Sequence, residues 1–182
     1  GNYVARQVSR WSKQYRASET DNIEAMNNLI EWLPKNIPDD DETTIVHGDY
    51  RLDNMILRNN EVIGILDWEL STLGHPIADF SYHCLSWRTQ EAFWDEAKLK
   101  ELGIPSEKEY MEMYCENSGK DLSKNWEFYM AFNMFKIAGI LQGILGRVRD
   151  GTAASKHAEE RGNMVFPLSE AAWSTIEENF LK

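Results

Sequence analysis

The stretch Ile45-Val46-His47-Gly48-Asp49-Tyr50-Arg51-Leu52-Asp53-Asn54 places an aspartate two residues after a histidine and an asparagine five residues after that aspartate. A short apolar run, Ile65-Leu66, then ends on Asp67, thirteen residues beyond Asn54. These residue types suit phosphoryl transfer, which needs a positioned hydroxyl nucleophile and cations spanning the phosphates rather than covalent help from protein. Asp49 can accept or orient the hydroxyl proton. Asn54, a neutral oxygen ligand, and Asp67, an anionic one, can hold Mg2+ if the chain between them doubles back. Arg51 can offset charge on the transferred phosphate, or pair internally with Asp79 or Glu69.

The doubling back is itself legible. Met55-Ile56-Leu57 and Val62-Ile63-Gly64-Ile65-Leu66 are apolar runs separated by Arg58-Asn59-Asn60-Glu61, and Asn tolerates the left-handed backbone that tight hairpins demand. Thr44-Ile45-Val46 is β-branched and leads into the polar segment His47 to Asn54. The surroundings read as helices. Val4, Val8, Trp11 and Tyr15 recur at helical spacing; Ile23, Met26, Leu29, Ile30 and Leu33 do so after a capping-box-like Asp21-x-x-Glu24, and Pro34 and Pro38 end that helix. The acidic run Asp39-Asp40-Asp41-Glu42 reads as a solvated loop.

Further helices are expected over Ile77–Trp87, Ala92–Leu102 and Ser106–Asn117, the last opened by Ser106-x-x-Glu109 and closed by Gly119. A long helix from about Ser123 to Arg149 carries Phe132, Phe135 and Leu141 as core, with Gly139, Gly143 and Gly146 suited to close packing, and a last helix covers Pro167–Phe180. The fold class is mainly α with a small β-hairpin, in one domain.

Composition narrows the chemistry. Lys and Arg total 19 against 30 Asp and Glu, a net charge of −11, so the molecular field repels phosphate backbones and non-specific nucleic-acid binding is not expected. Two cysteines, Cys84 and Cys115, with no CxxC, indicate neither a disulfide framework nor a zinc knuckle and fit a reducing cytoplasm. No signal peptide is evident. The most apolar stretch, Met130 to Gly146, is broken by Asn133, Lys136 and Gln142, so no membrane span is expected. The chain opens on Gly1 rather than Met, which suggests a start inside a longer protein.

Blander readings stand beside the sharp ones. A metal-dependent hydrolase built from His47, Asp49, Asp67 and His75 would leave Asn54 without a role. His75, in Leu73-Gly74-His75-Pro76, reads as a turn residue rather than a ligand, His83 and Cys84 as packing residues, and Asp53 as a surface residue. Glu69 can reach a second metal, the substrate or a helix N-terminus. Trp87, Arg88, Trp94 and Tyr114 can line an acceptor pocket or pack between helices, with packing favoured. Arg147, Arg149, Lys156 and Arg161 form a basic patch that can meet an anionic acceptor or cap a solvated helix end. A non-catalytic binding or scaffold module would be marked by loss of Asp49, Asn54 or Asp67, and all three are present.

His47-Gly48-Asp49-Tyr50-Arg51-Leu52-Asp53-Asn54, Ile65-Leu66-Asp67-Trp68-Glu69 and Gly74-His75-Pro76 with Asp79 together resemble the catalytic and metal-binding loops of the aminoglycoside phosphotransferase family. The branch is one similar to the phosphotransferase domain of acyl-CoA dehydrogenase family members, which the opening Tyr3-Val4-Ala5-Arg6-Gln7-Val8 also resembles. The resemblance implies a protein-kinase-like fold, ATP as co-substrate with Mg2+, Asp49 as base, Asn54 and Asp67 as magnesium ligands, His47 as support for the catalytic loop and Asp79 as a structural tie. It also implies a nucleotide lobe with a phosphate-covering loop and a strand lysine, and no such pattern occurs here. Residues 1–182 therefore read as the C-terminal lobe alone, inactive in isolation and prone to self-associate through the face an N-terminal lobe would cover. The acceptor is a hydroxyl on a small molecule, aminoglycoside-like or hydroxyacyl.

Overall fold

The computed structural model describes residues 3–40, 42–89, 96–152 and 157–182. Asp41, Trp94, Lys156 and the start of the helix expected at Ala92–Leu102 lie outside the described residues. In chain order the elements are α1 (Tyr3–Ser18), α2 (Glu24–Trp32), β1 (Thr44–Val46), β2 (Met55–Arg58), β3 (Glu61–Ile65), β4 (Thr72–Gly74), α3 (Pro76–Cys84), α4 (Ser86–Thr89), α5 (Glu96–Glu101), α6 (Glu107–Ser118), α7 (Trp126–Arg149), α8 (Ala158–Gly162) and α9 (Val165–Phe180). They form two compact units, Gly1–Thr43 with Glu127–Lys182, and Thr44–Trp126.

In the first unit, α1 buries the expected stripe of Val4, Val8, Trp11 and Tyr15. Helix α2 buries Ala25, Met26 and Leu29 and packs against α9, with the Trp32 and Phe180 rings 5.3 Å apart. The capping box expected at Asp21 does not form. Ile23, in extended conformation, occupies the N-cap, so Asp21 lies two residues too early to reach the first turn. Pro34 ends the helix by sitting inside a 3-10 turn, Leu33–Lys35. The acidic run is more than a solvated loop, because Tyr129 on α7 donates its hydroxyl to Asp40 at 2.8 Å.

Helix α7 buries Phe132, Phe135 and Ala138, whereas Leu141, expected in the core, is half-buried. Its glycines let α1 approach: a Cβ on Gly146 would lie 2.8 Å from the Ser18 Cβ, and one on Gly143 would lie 3.0 Å from the Gln14 amide. Gln142 then donates to the Ser18 carbonyl at 2.7 Å and the Thr20 hydroxyl at 3.0 Å. The expectation that this stretch falls short of a membrane span is corrected by length and composition, since an 18-residue window of α7 has mean hydropathy 1.3. Its aromatic and aliphatic residues outweigh the three polar interruptions. Of that window, 67% is buried inside the protein, as in a core helix.

In the second unit, β2 and β3 form the expected hairpin, with Met55 opposite Ile65 and Arg58 opposite Glu61. Asn59 and Asn60 turn it at φ 52° and 63°, the left-handed pair of a tight hairpin. A second antiparallel pair was not legible in the sequence: β1 lies against β4, Thr44 opposite Gly74 and Val46 opposite Thr72. Helix α3 stops at Cys84 and α4 follows, so the helix expected through Trp87 is broken. Helix α6 carries the complete capping box between Ser106 and Glu109 and closes on Gly119 at φ 70°.

Candidate active site

Strand β1 delivers the loop that begins at His47, and both ring nitrogens of that buried histidine are committed to backbone. Nδ1 accepts the Asp49 N–H at 3.2 Å, which leaves the proton on Nε2 to donate to the Leu66 carbonyl at 2.8 Å. The Trp68 ring lies 4.7 Å from the imidazole. Gly48 follows at φ 86°, where a Cβ would lie 2.8 Å from the Leu70 carbonyl oxygen, so only glycine makes this turn without strain. Asp79, in the first turn of α3, accepts the N–H of His47 at 2.8 Å and of Gly48 at 2.9 Å.

These ties present the Asp49 carboxylate, half-buried, to three donors. Oδ1 accepts the Tyr82 hydroxyl at 3.0 Å; Oδ2 accepts the Asn54 amide at 3.1 Å, with the Arg51 Nε 3.5 Å away. Asn54 closes the 3-10 turn Leu52–Asn54, is buried, and also donates to the Asp49 backbone carbonyl at 2.8 Å. Two acceptors thus fix which way its amide points, and its Oδ1 is the atom left for a cation. Burial first, then the charge of Asp49, pushes the Tyr82 phenol up to about 12, so it remains a donor through neutral pH.

The far end of the hairpin returns to the same place through Leu66. Its N–H donates to the Asn54 carbonyl at 2.8 Å and its carbonyl receives His47. Asp67 comes next, exposed and left-handed at φ 62°, with no side-chain bond into the turn that follows it. A neutral amide oxygen and an anionic carboxylate are hard oxygen donors of the kind Mg2+ takes, so Asn54 and Asp67 fit that ion in donor chemistry.

The structure brings His47, Asp49, Arg51, Asn54 and Asp79 together and places Asp67 beside them by backbone pairing. Arg51 pairs with Asp49 and, at 3.7 Å, with Asp53, not with Asp79 or Glu69, because it sits on the loop's exposed side. Glu69 is exposed in the 3-10 turn Trp68–Leu70. His75 is buried at the N-cap of α3. Among the described residues no three His, Cys, Asp or Glu side chains gather as a metal site, and His47 has no free ring nitrogen, so the hydrolase centre is not assembled.

The acceptor-pocket candidates among the described residues, Trp87, Arg88 and Tyr114, are packed instead. Arg88 is bidentate to Glu107, which also accepts the Trp126 indole at 2.8 Å; Trp87 stacks on Tyr110 and Tyr114 on Phe80. His83 likewise packs, its Nδ1 on the Tyr50 carbonyl and its Nε2 on the Tyr110 hydroxyl, both at 3.1 Å, and burial lowers its pKa. In the basic patch, Arg149 pairs with Asp150 at 2.8 Å. Tyr82 is the site residue that sequence reasoning missed. Its signal is position, one helical turn after Asp79 on a helix already tied to the loop.

The family model described as "Phosphotransferase enzyme family" matches residues 1–114. The chain belongs to this phosphotransferase family. Its fold, mainly helical with small sheets, is shared with the crystal structure of a protein assigned as an aminoglycoside phosphotransferase from Ralstonia eutropha. The two are 49% identical with a TM-score of 0.90, over 98% of this chain and 56% of that one. Mouse acyl-CoA dehydrogenase family member 10 is 47% identical over 180 residues, covering 95% of this chain and 17% of the relative. Human acyl-CoA dehydrogenase family member 11 is 40% identical over 185 residues, covering 98% of this chain and 24% of the relative. The chain thus spans a quarter or less of these curated relatives and just over half of the solved protein. The resemblance to the aminoglycoside phosphotransferase family and to its acyl-CoA-dehydrogenase branch is confirmed by these comparisons.

Proposed function

We propose that this chain carries the catalytic loop of an ATP- and Mg2+-dependent small-molecule kinase, acting within a longer protein that supplies the nucleotide lobe. The observation that carries this reading is the Asp49 carboxylate, held on one oxygen by Tyr82 and on the other by Asn54, beside a hairpin end that delivers Asp67. Asn54 and Asp67 would hold Mg2+, which when bound offsets phosphate charge. Asp49 orients the acceptor hydroxyl and takes its proton as the acceptor oxygen bonds to the γ-phosphorus and the bond to the ADP oxygen breaks. Arg51 offsets charge on the phosphoryl oxygens, and His47 and Asp79 hold the loop in register.

The acceptor we favour is a hydroxyacyl thioester rather than an aminoglycoside-like polycation. What supports it is that the relatives at 40–47% identity bear acyl-CoA dehydrogenase names and extend well beyond this chain. The isolated chain is inactive, because the lysine and backbone donors that cover nucleotide phosphates are not part of it. Ile45, Leu57, Val62 and Leu73, all more than half exposed, belong to the face that the nucleotide lobe covers, and the isolated chain self-associates there. The site is cytoplasmic, free of nucleic acid and of membrane. The test is ADP release by the full-length protein with ATP, Mg2+ and either 3-hydroxybutyryl-CoA or kanamycin. The reading expects turnover with the thioester; turnover with neither overturns it.

A further inference from the structure

We propose that Tyr82 is a positioning residue for the transfer reaction: its hydroxyl fixes the rotation of the Asp49 carboxylate through the oxygen that Asn54 does not hold. The inference rests on the phosphotransferase reading above. An aspartate's terminal torsion is broad and two-fold, so a half-buried carboxylate on a loop rotates unless both oxygens are engaged. Asn54 engages Oδ2 from the loop itself; Tyr82 engages Oδ1 at 3.0 Å from α3, a separate and regular element.

Helix α3 is also the frame that holds the backbone on either side of Asp49. Asp79 accepts the N–H groups of His47 and Gly48, and His83 bonds the Tyr50 carbonyl. Residues 79, 82 and 83 share one face at helical spacing, so the carboxylate and its flanking backbone are referred to a single rigid body. Phe80 on the same helix shows what pure packing uses there, a ring stacked on Tyr114 with no polar end. The hydroxyl of Tyr82 is therefore more than packing demands, and because its pKa is raised to about 12 it donates at any working pH.

The experiment is Tyr82→Phe in the full-length protein, assayed with ATP, Mg2+ and 3-hydroxybutyryl-CoA. The expected result is a kcat lowered about tenfold with KM values changed less than twofold. An unchanged kcat overturns the proposal. If the phenylalanine variant does not fold, 3-fluorotyrosine placed at 82 keeps both the ring and the donor, and kcat stays within about twofold of wild type; a loss of about tenfold overturns the proposal. A wild type without turnover sinks the phosphotransferase reading instead. The crystal structure of Tyr82→Phe then decides the positioning role: an Asp49 carboxylate rotated from its present plane supports it, and an unrotated one overturns it.

Discussion

Asn54 donates its amide twice to Asp49, to the backbone carbonyl at 2.8 Å and to Oδ2 at 3.1 Å. One side chain thereby closes the loop and holds the carboxylate. Asn54→Asp removes both donors and sets a second anion against Asp49. The expected outcome is a loss of stability of about 1–3 kcal/mol in urea denaturation, together with loss of Mg2+-dependent turnover. A variant that keeps wild-type stability contradicts this account of the loop.

Asp79 is the second anchor, and its two acceptor oxygens serve the adjacent N–H groups of His47 and Gly48. Asp79→Ala leaves both donors unmatched and is expected to cost about 2–5 kcal/mol, read as a large drop in Tm. Asp79→Asn, which keeps one acceptor, falls between.

Gly48→Ala tests the turn itself. Its left-handed φ of 86° and the 2.8 Å separation from the Leu70 carbonyl combine a conformational penalty with a backbone clash. The expected cost is at least about 1–2 kcal/mol, and kcat falls because the displaced backbone carries Asp49 with it. Gly119→Ala, with the same sign of φ but open space around it, costs less.

Alkaline pH isolates the buried phenols. Tyr15, Tyr82 and Tyr110 are each raised from 10 to about 12, chiefly by burial. A folded pKa above the unfolded one means the neutral form is favoured in the fold, so this stability is complete below pH 10 and is lost as pH rises from there through about 12. His83 works in the opposite window: burial lowers its pKa, so its contribution is present above 6.5 and fades as pH falls below it. Phenolate absorbance with circular dichroism checks the first: part of the tyrosine signal is expected to appear only with unfolding.

What could be read from the sequence was local or periodic. Asn59-Asn60 announces its turn, Ser106 and Glu109 announce their cap, and the stripes of α1 and α7 announce the core, because each signal lies within one element. The failures share the opposite character. Strand β4 is three residues whose partner lies 28 positions away, and its Leu73 is exposed, so no alternation marks it. Asp21-x-x-Glu24 has the composition of a cap, but the first helical residue is Glu24 itself. Tyr82 reads as one more apolar ring in a helix, and only tertiary structure sets its hydroxyl against a carboxylate 33 residues away.

The isolated chain separates fold from function. Calorimetry with ATP and Mg2+ is expected to give no micromolar binding, a Kd of 1 μM being about −8 kcal/mol, because the proposed function assigns one face of the nucleotide site to another part of a longer protein. Sedimentation is expected to show self-association, reversed by changing Leu57 and Val62 to polar residues.

The central claim is that Asp49 is the base of a phosphoryl transfer. The direct measurement is transfer of the γ-phosphoryl group from ATP to 3-hydroxybutyryl-CoA by the full-length protein, wild type against Asp49→Asn. The account predicts transfer by the wild type, and a loss of about 100-fold or more in kcat with little change in KM in a variant that keeps its circular-dichroism signature. Transfer by Asp49→Asn at the wild-type rate would contradict it.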